Sequence, residues 1–211
     1  MSLNIVITGQ KSFGRAVLKR LVEDGHNIVG VAVAPQGRQK DRMVGLAMKY
    51  QIPILAEADK LTSRMIPANT DLIVSAHSWW LVSNQILNKC KYGGIGFHPS
   101  LLPRHRGQDA VRWTIKMRDP IGGGTVYKLN DKTDGGEIVS QELLMVKPQW
   151  NYHQYWEELF PIGVDMVSNA VKKIEKDNGI KNAKPQDEDC ATWEPSFKRP
   201  RLKRNELLRL G

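Results

Sequence analysis

Short, unbroken apolar runs separated by helix-length stretches restrict this chain to few folds. Leu3-Asn4-Ile5-Val6-Ile7-Thr8-Gly9 is apolar at both odd and even positions and rich in β-branched residues. A strand of that kind leaves neither face to water, so it reads as a buried strand of a parallel sheet. Residues 13–23 then place Phe13, Val17, Leu18, Leu21 and Val22 on one helical face, with Ser12 as the expected cap and Gly25 as the stop. Residues 26–34 return to a strand. Strand, helix and strand in that order imply a parallel pair joined by a right-handed crossover.

The alternation continues. A polar linker at 37–41 leads to a helix over 42–50, a short strand over 52–55 and a short helix over 61–66. Asp71-Leu72-Ile73-Val74-Ser75-Ala76 is a second strand, apolar almost throughout, followed by the aromatic loop His77-Ser78-Trp79-Trp80-Leu81-Val82. Helix is expected over 83–89, strand over 92–97 and helix over 108–117. Strands at 122–129 and 138–146 enclose a loop at 130–137. A long helix over 150–176 should bend near Pro161 and stop at Asn178-Gly179. Residues from about 180 onward have no period, and are expected to be a partly ordered tail that packs Trp193 on the domain. No internal repeat is visible. The expectation is an α/β chain: a doubly wound, Rossmann-like, mostly parallel sheet with helices on both faces over residues 1–178, then a basic tail at 179–211.

Composition narrows the class. Of 211 residues, 41% are hydrophobic, enough for a real core. No apolar run approaches the roughly 18 residues a membrane helix needs, and the N-terminus enters a strand without a signal-peptide pattern. Cys90 and Cys190 lie far apart, so a reduced, cytoplasmic chain without metal is expected. The net charge of +9 favours anionic ligands such as phosphate, a polyglutamate tail or RNA. Much of that excess sits at Lys198, Arg199, Arg201, Lys203, Arg204 and Arg209, which can equally be a solvated tail. Gly9-Gln10-Lys11-Ser12-Phe13-Gly14 fails the dinucleotide pattern, because Lys11 stands where the middle glycine must admit a pyrophosphate. The second strand ends in Val33-Ala34-Pro35 with no acid for a ribose, so NAD is not expected. Lys11 is either a substrate contact or an exposed turn lysine.

The chemistry concentrates in two loops at strand ends. Gly94-Ile95-Gly96-Phe97-His98 runs as a strand and breaks at Pro99-Ser100-Leu101-Leu102-Pro103. His98 stands where open α/β sheets bind ligands, beyond a carboxyl end. Downstream, Asp131-Lys132-Thr133-Asp134-Gly135-Gly136 puts an acid in a glycine-rich turn. A carboxylate near an imidazole makes an acid–base pair, provided the two loops meet. Of the adjacent tryptophans, one should pack inward and one line a cleft. His77 reads as a structural polar residue.

The motif His98-Pro99-Ser100-Leu101-Leu102-Pro103-Arg104-His105-Arg106-Gly107 with Asp134-Gly135-Gly136 resembles the signature of the folate-dependent formyltransferase family. That family includes the methionyl-tRNA, glycinamide ribonucleotide and sugar enzymes. The opening and Leu159-Phe160-Pro161 are most similar to the hydrolase domain of 10-formyltetrahydrofolate dehydrogenase. The resemblance implies the formyltransferase fold, 10-formyltetrahydrofolate as formyl donor and an amine acceptor. It also implies His98 and Asp134 as catalytic residues. Trp80, Leu81, Val82, Asp131, Gly135, Gly96 and Ser100 become the expected folate or substrate contacts. Neither metal nor NAD is implied. The acceptor stays open and is expected to include phosphate-bearing amines; nucleic acid is not favoured. One departure matters. Most transferases carry asparagine two places before the histidine, and here that place is Gly96. Losing one oxyanion donor typically costs on the order of 10²–10³ in rate. Hydrolysis of the donor, or folate binding without catalysis, therefore stand beside transfer.

Overall fold

A computed structural model of the protein describes residues 2–34, 41–55 and 60–197. Linker residues 37–40 and the basic residues 198–209 lie outside the described residues. Six strands form one sheet: β1 (Asn4–Gly9), β2 (Asn27–Ala32), β3 (Leu72–Ala76), β4 (Gly94–His98), β5 (Ile121–Lys128) and β6 (Ile138–Met145). The spatial order is β2-β1-β3-β4-β5-β6. The first four strands pair parallel, and β5 and β6 pair antiparallel. Among the described residues, five α-helices accompany them: α1 (Lys11–Glu23), α2 (Arg42–Lys49), α3 (Asn84–Leu87), α4 (Ala110–Lys116) and α5 (Tyr152–Asp177).

The alternation within each strand builds two cores. Ile5, Ile7, Leu72 and Val74 face Val17, Leu18 and Leu21 of α1 and Val167, Val171 and Ile174 of α5. Val6 and Ile73 point the other way, onto Met65, Ile86, Leu87 and Cys90. Each such side chain stabilises by about 1.5–3 kcal/mol when fully buried. This is the doubly wound, mostly parallel arrangement with helices on both faces that the sequence predicts.

Several local expectations change. Ser12 lies inside α1 and does not cap it; its hydroxyl accepts from Arg42 Nη1 at 3.1 Å. The amide of Lys11 instead donates to Asp41 Oδ2 at 2.8 Å, while Asp41 Oδ1 accepts the Met43 amide at 2.8 Å and caps α2. One carboxylate thus serves two helix starts. The strand expected over 52–55 reduces to a bridge between Ile54 and Val31, along the outer side of β2. The helix expected over 61–66 is a single 3-10 turn, Ser63–Met65, pinned by the buried Leu61, Met65 and Ile66. The helix α5 opens with a capping box of Asn151 and Gln154 and runs unbroken through Pro161. It ends on left-handed Asn178, with the Gly179 amide donating to Ile174.

Candidate active site

The chain leaves β1 for β2 on one side, then returns to place β3 on the other side of β1. Such a reversal opens a crevice beyond the carboxyl ends of the two diverging strands. Here the crevice is a cavity of about 830 Å³, walled by segments following β1, β3, β4 and β5. His98 and Asp134 both line it.

His98 is the last residue of β4 and is buried. The loop after it is pinned from within. Ser100 Oγ donates to the Arg104 carbonyl at 2.6 Å, and Thr125 Oγ1 donates to the Ser100 carbonyl at 2.7 Å. Gln141 Nε2 donates to the Leu102 carbonyl at 2.8 Å, and Leu102-Pro103 is cis. His98 Nε2 lies 2.7 Å from the His105 carbonyl oxygen. A carbonyl only accepts, so Nε2 carries a hydrogen and Nδ1 is the nitrogen left to work. Nδ1 faces Asp134 Oδ2 at 3.5 Å.

Asp134 sits at φ 50°, a left-handed position that Asp tolerates better than most side chains. Its carboxylate is aimed by two donors: the Tyr127 hydroxyl to Oδ1 at 2.7 Å and the Gly107 amide to Oδ2 at 2.8 Å. Gly107 ends the His98 loop, so this second bond ties the two loops together. Burial, and then the Asp134 charge, holds the Tyr127 phenol well above its usual pKa, so it stays a proton donor. The turn closes because position 136 has no side chain; a Cβ there would strike the Lys128 carbonyl.

A segment beyond α5 completes the site, and sequence reading missed its part. Gln186 Nε2 donates to the carbonyls of Asp134 (2.8 Å) and Gly136 (2.7 Å). Gln186 Oε1 accepts from Arg106 Nε and Nη2 at 3.0 and 2.7 Å. Arg106 is only 4% exposed and also pairs with Glu188 at 2.8 Å. His105 lies between Asp119 (Nε2, 2.7 Å) and Glu194 (Nδ1, 3.0 Å), the latter off the hydrogen-bond line. Backbone bonds join Arg106 to Thr192 and Thr192 to Pro103. A basic residue followed by nothing but a polar, aperiodic stretch gives no sequence signal for such a clamp.

The expected contact residues separate. Trp80, Leu81 and Val82 line the cavity with Trp79, which is 65% exposed, while Trp80 also packs on the second core. Gly96 lies behind the Tyr127 ring, not on the cavity wall. Ser100 is buried with its hydroxyl committed inside the loop. Asp131 accepts from the Asn84 amide at 2.7 Å and so holds the start of α3. Gly135 adjoins Lys132 in the turn and leaves the wall to Thr133 and Asp134. His77, at φ 59°, is stacked on Trp156 with ring centroids 5.2 Å apart. Burial, aided by His98 and Lys11, pushes its pKa down to about 4, so it lines the cavity as a neutral ring.

Fold and site together define a class. The formyl transferase family model matches residues 1–170, and the chain belongs to that family. Among curated relatives, it is 32% identical to the cytosolic 10-formyltetrahydrofolate dehydrogenase of Xenopus laevis, over 96% of this chain and 24% of that protein. The chain thus spans about a quarter of the length of that relative. Among solved structures, a sugar 3N-formyl transferase, WlaRD, studied with dTDP and 5-N-formyl-THF, superposes with a TM-score of 0.74 at 14% identity. That match covers 92% of this chain and 70% of the other. Phosphoribosylglycinamide formyltransferase from Bacillus halodurans gives a TM-score of 0.69 at 18% identity, over 82% and 96% of the two chains. At these identities the two structures speak for the fold.

Proposed function

We propose that the chain removes the formyl group from 10-formyltetrahydrofolate and passes it to an amine, with His98 and Asp134 as the acid–base pair. The observation that carries this reading is the meeting of His98 Nδ1 and Asp134 Oδ2 at the cavity wall, with both loops tied through Gly107. The acceptor nitrogen attacks the formyl carbon and its proton passes to Nδ1. Asp134 then faces a cationic ring at 3.5 Å, a separation at which opposite charges attract in a site partly shielded from water. Collapse of the tetrahedral intermediate breaks the bond to N10 of the folate, and the proton on Nδ1 goes to that nitrogen. Trp80, Leu81 and Val82 offer an apolar and aromatic wall suited to a flat pterin.

Hydrolysis, with water in place of the amine, is the second reading. The similarity to the dehydrogenase over 96% of the chain favours it. So does Asp41, whose carboxylate occupies the first amide of α1 and repels a phosphate-bearing acceptor there. Tetrahydrofolate release from 10-formyltetrahydrofolate, followed with and without candidate amines, separates the cases. Release only with an amine supports transfer, and release without one supports hydrolysis. Folate binding with no release in either condition would overturn both.

A further inference from the structure

Gly96 and Tyr127 stand directly opposite each other in the antiparallel β4–β5 pair. Directly opposed residues project from the same face. A Cβ built on Gly96 would come within 3.0 Å of Tyr127 Cε1 and Cζ and of Leu129 Cδ2. The phenol ring therefore lies across the place where a side chain at position 96 would go. From there its hydroxyl reaches Asp134 Oδ1 at 2.7 Å, and the residue lines the cavity beside His98.

We propose that Tyr127 is a positioning residue for the formyl-transfer site, and that Gly96 is glycine so that the Tyr127 ring can lie over it and hold Asp134. The inference rests on the His98/Asp134 reading and deepens it. Asp134 has two carboxylate oxygens and two tasks. Oδ2 must stay turned toward His98, and a carboxylate on a glycine-rich turn can rotate about its own axis. The Gly107 amide alone fixes one oxygen; the Tyr127 hydroxyl on the other fixes the plane. The arrangement also explains why the lack of a side chain at position 96 leaves no hole: the ring fills it.

The test uses the full chain, with Tyr127→Phe, Gly96→Ala and the double variant, read by turnover of 10-formyltetrahydrofolate and by melting temperature. Loss of a hydrogen bond to a charged group should lower kcat for Tyr127→Phe at least about tenfold with KM changed less than about twofold. Gly96→Ala should push the ring by a few tenths of an ångström and lower kcat by a smaller factor than Tyr127→Phe, adding little on top of it in the double variant. Wild-type kcat in Tyr127→Phe would overturn the proposal, as would full additivity of the two variants. Parallel losses of kcat, KM and melting temperature would overturn it too, in favour of plain structural support. If the wild-type chain bound folate and turned over no donor, the functional reading itself would fall. Wild-type turnover with an indifferent Tyr127→Phe would remove this inference alone.

Discussion

His98 and Asp134 each hold a neighbouring group, so their variants should lose stability as well as turnover. His98→Ala should lower turnover by at least about 10², the usual worth of a general acid–base group, and cost about 1–3 kcal/mol, because it leaves the His105 carbonyl without its ring donor. Asp134→Ala should do the same to turnover and also cost about 1–3 kcal/mol of stability, because it orphans the Tyr127 hydroxyl and the Gly107 amide. Steady-state kinetics beside urea unfolding would check both. His77 yields a pH prediction. Its pKa is about 4 in the fold, below the ordinary histidine value near 6.5. The unfolded chain thus binds the proton more readily, and stability falls as pH drops from about 6.5 toward 4. His77→Phe should flatten that fall in a series of urea midpoints. The sequence marked His98 and Asp134 by residue type and by their places at strand ends. It could not mark Tyr127, because a tyrosine in an alternating strand looks like any core aromatic.

Among elements, the strands were the most legible, since a run apolar on both faces has one physical solution. Short apolar patches were not: residues 52–55 are exposed or half-buried, residues 61–66 bury only Leu61, Met65 and Ile66, and they make one bridge and one 3-10 turn, because a few apolar contacts do not select a backbone hydrogen-bond pattern. The segment carrying Gln186, Glu188, Thr192 and Glu194 has no period to read. Its contacts are single backbone bonds and polar side chains reaching two separate loops, the one after His98 and the one around Asp134. It works as a strap under the His98 and Asp134 loops. Gln186→Ala removes two bonds to the Asp134 turn and two from Arg106, leaving buried polar groups unpaired. We expect about 2–4 kcal/mol of lost stability and a fall in kcat larger than any rise in KM, measured by thermal melting and initial rates.

Over the whole molecule, the site joins stretches near positions 10, 80, 98, 134 and 186, so it exists only when the sheet is complete. Ligand binding should therefore couple to global folding. A stable folate analogue such as 5-formyltetrahydrofolate at 100 times its Kd should add about 2.7 kcal/mol to unfolding stability. Amide exchange should slow together in residues 98–107, 127–136 and 186–194. Protection confined to the first two stretches would detach the strap from the site.

The bond from His98 Nε2 to the His105 carbonyl has a further consequence. A ring anchored at one nitrogen cannot swivel to hand a proton across to the opposite side. On the proposed acid–base reading, whatever Nδ1 receives, Nδ1 must return. The incoming nucleophile and the departing folate nitrogen would then approach the same edge of the imidazole, and one hydrogen would travel from one to the other without visiting bulk water. Run in mixed H₂O and D₂O, such an enzyme would carry the isotopic signature of a single mobile proton.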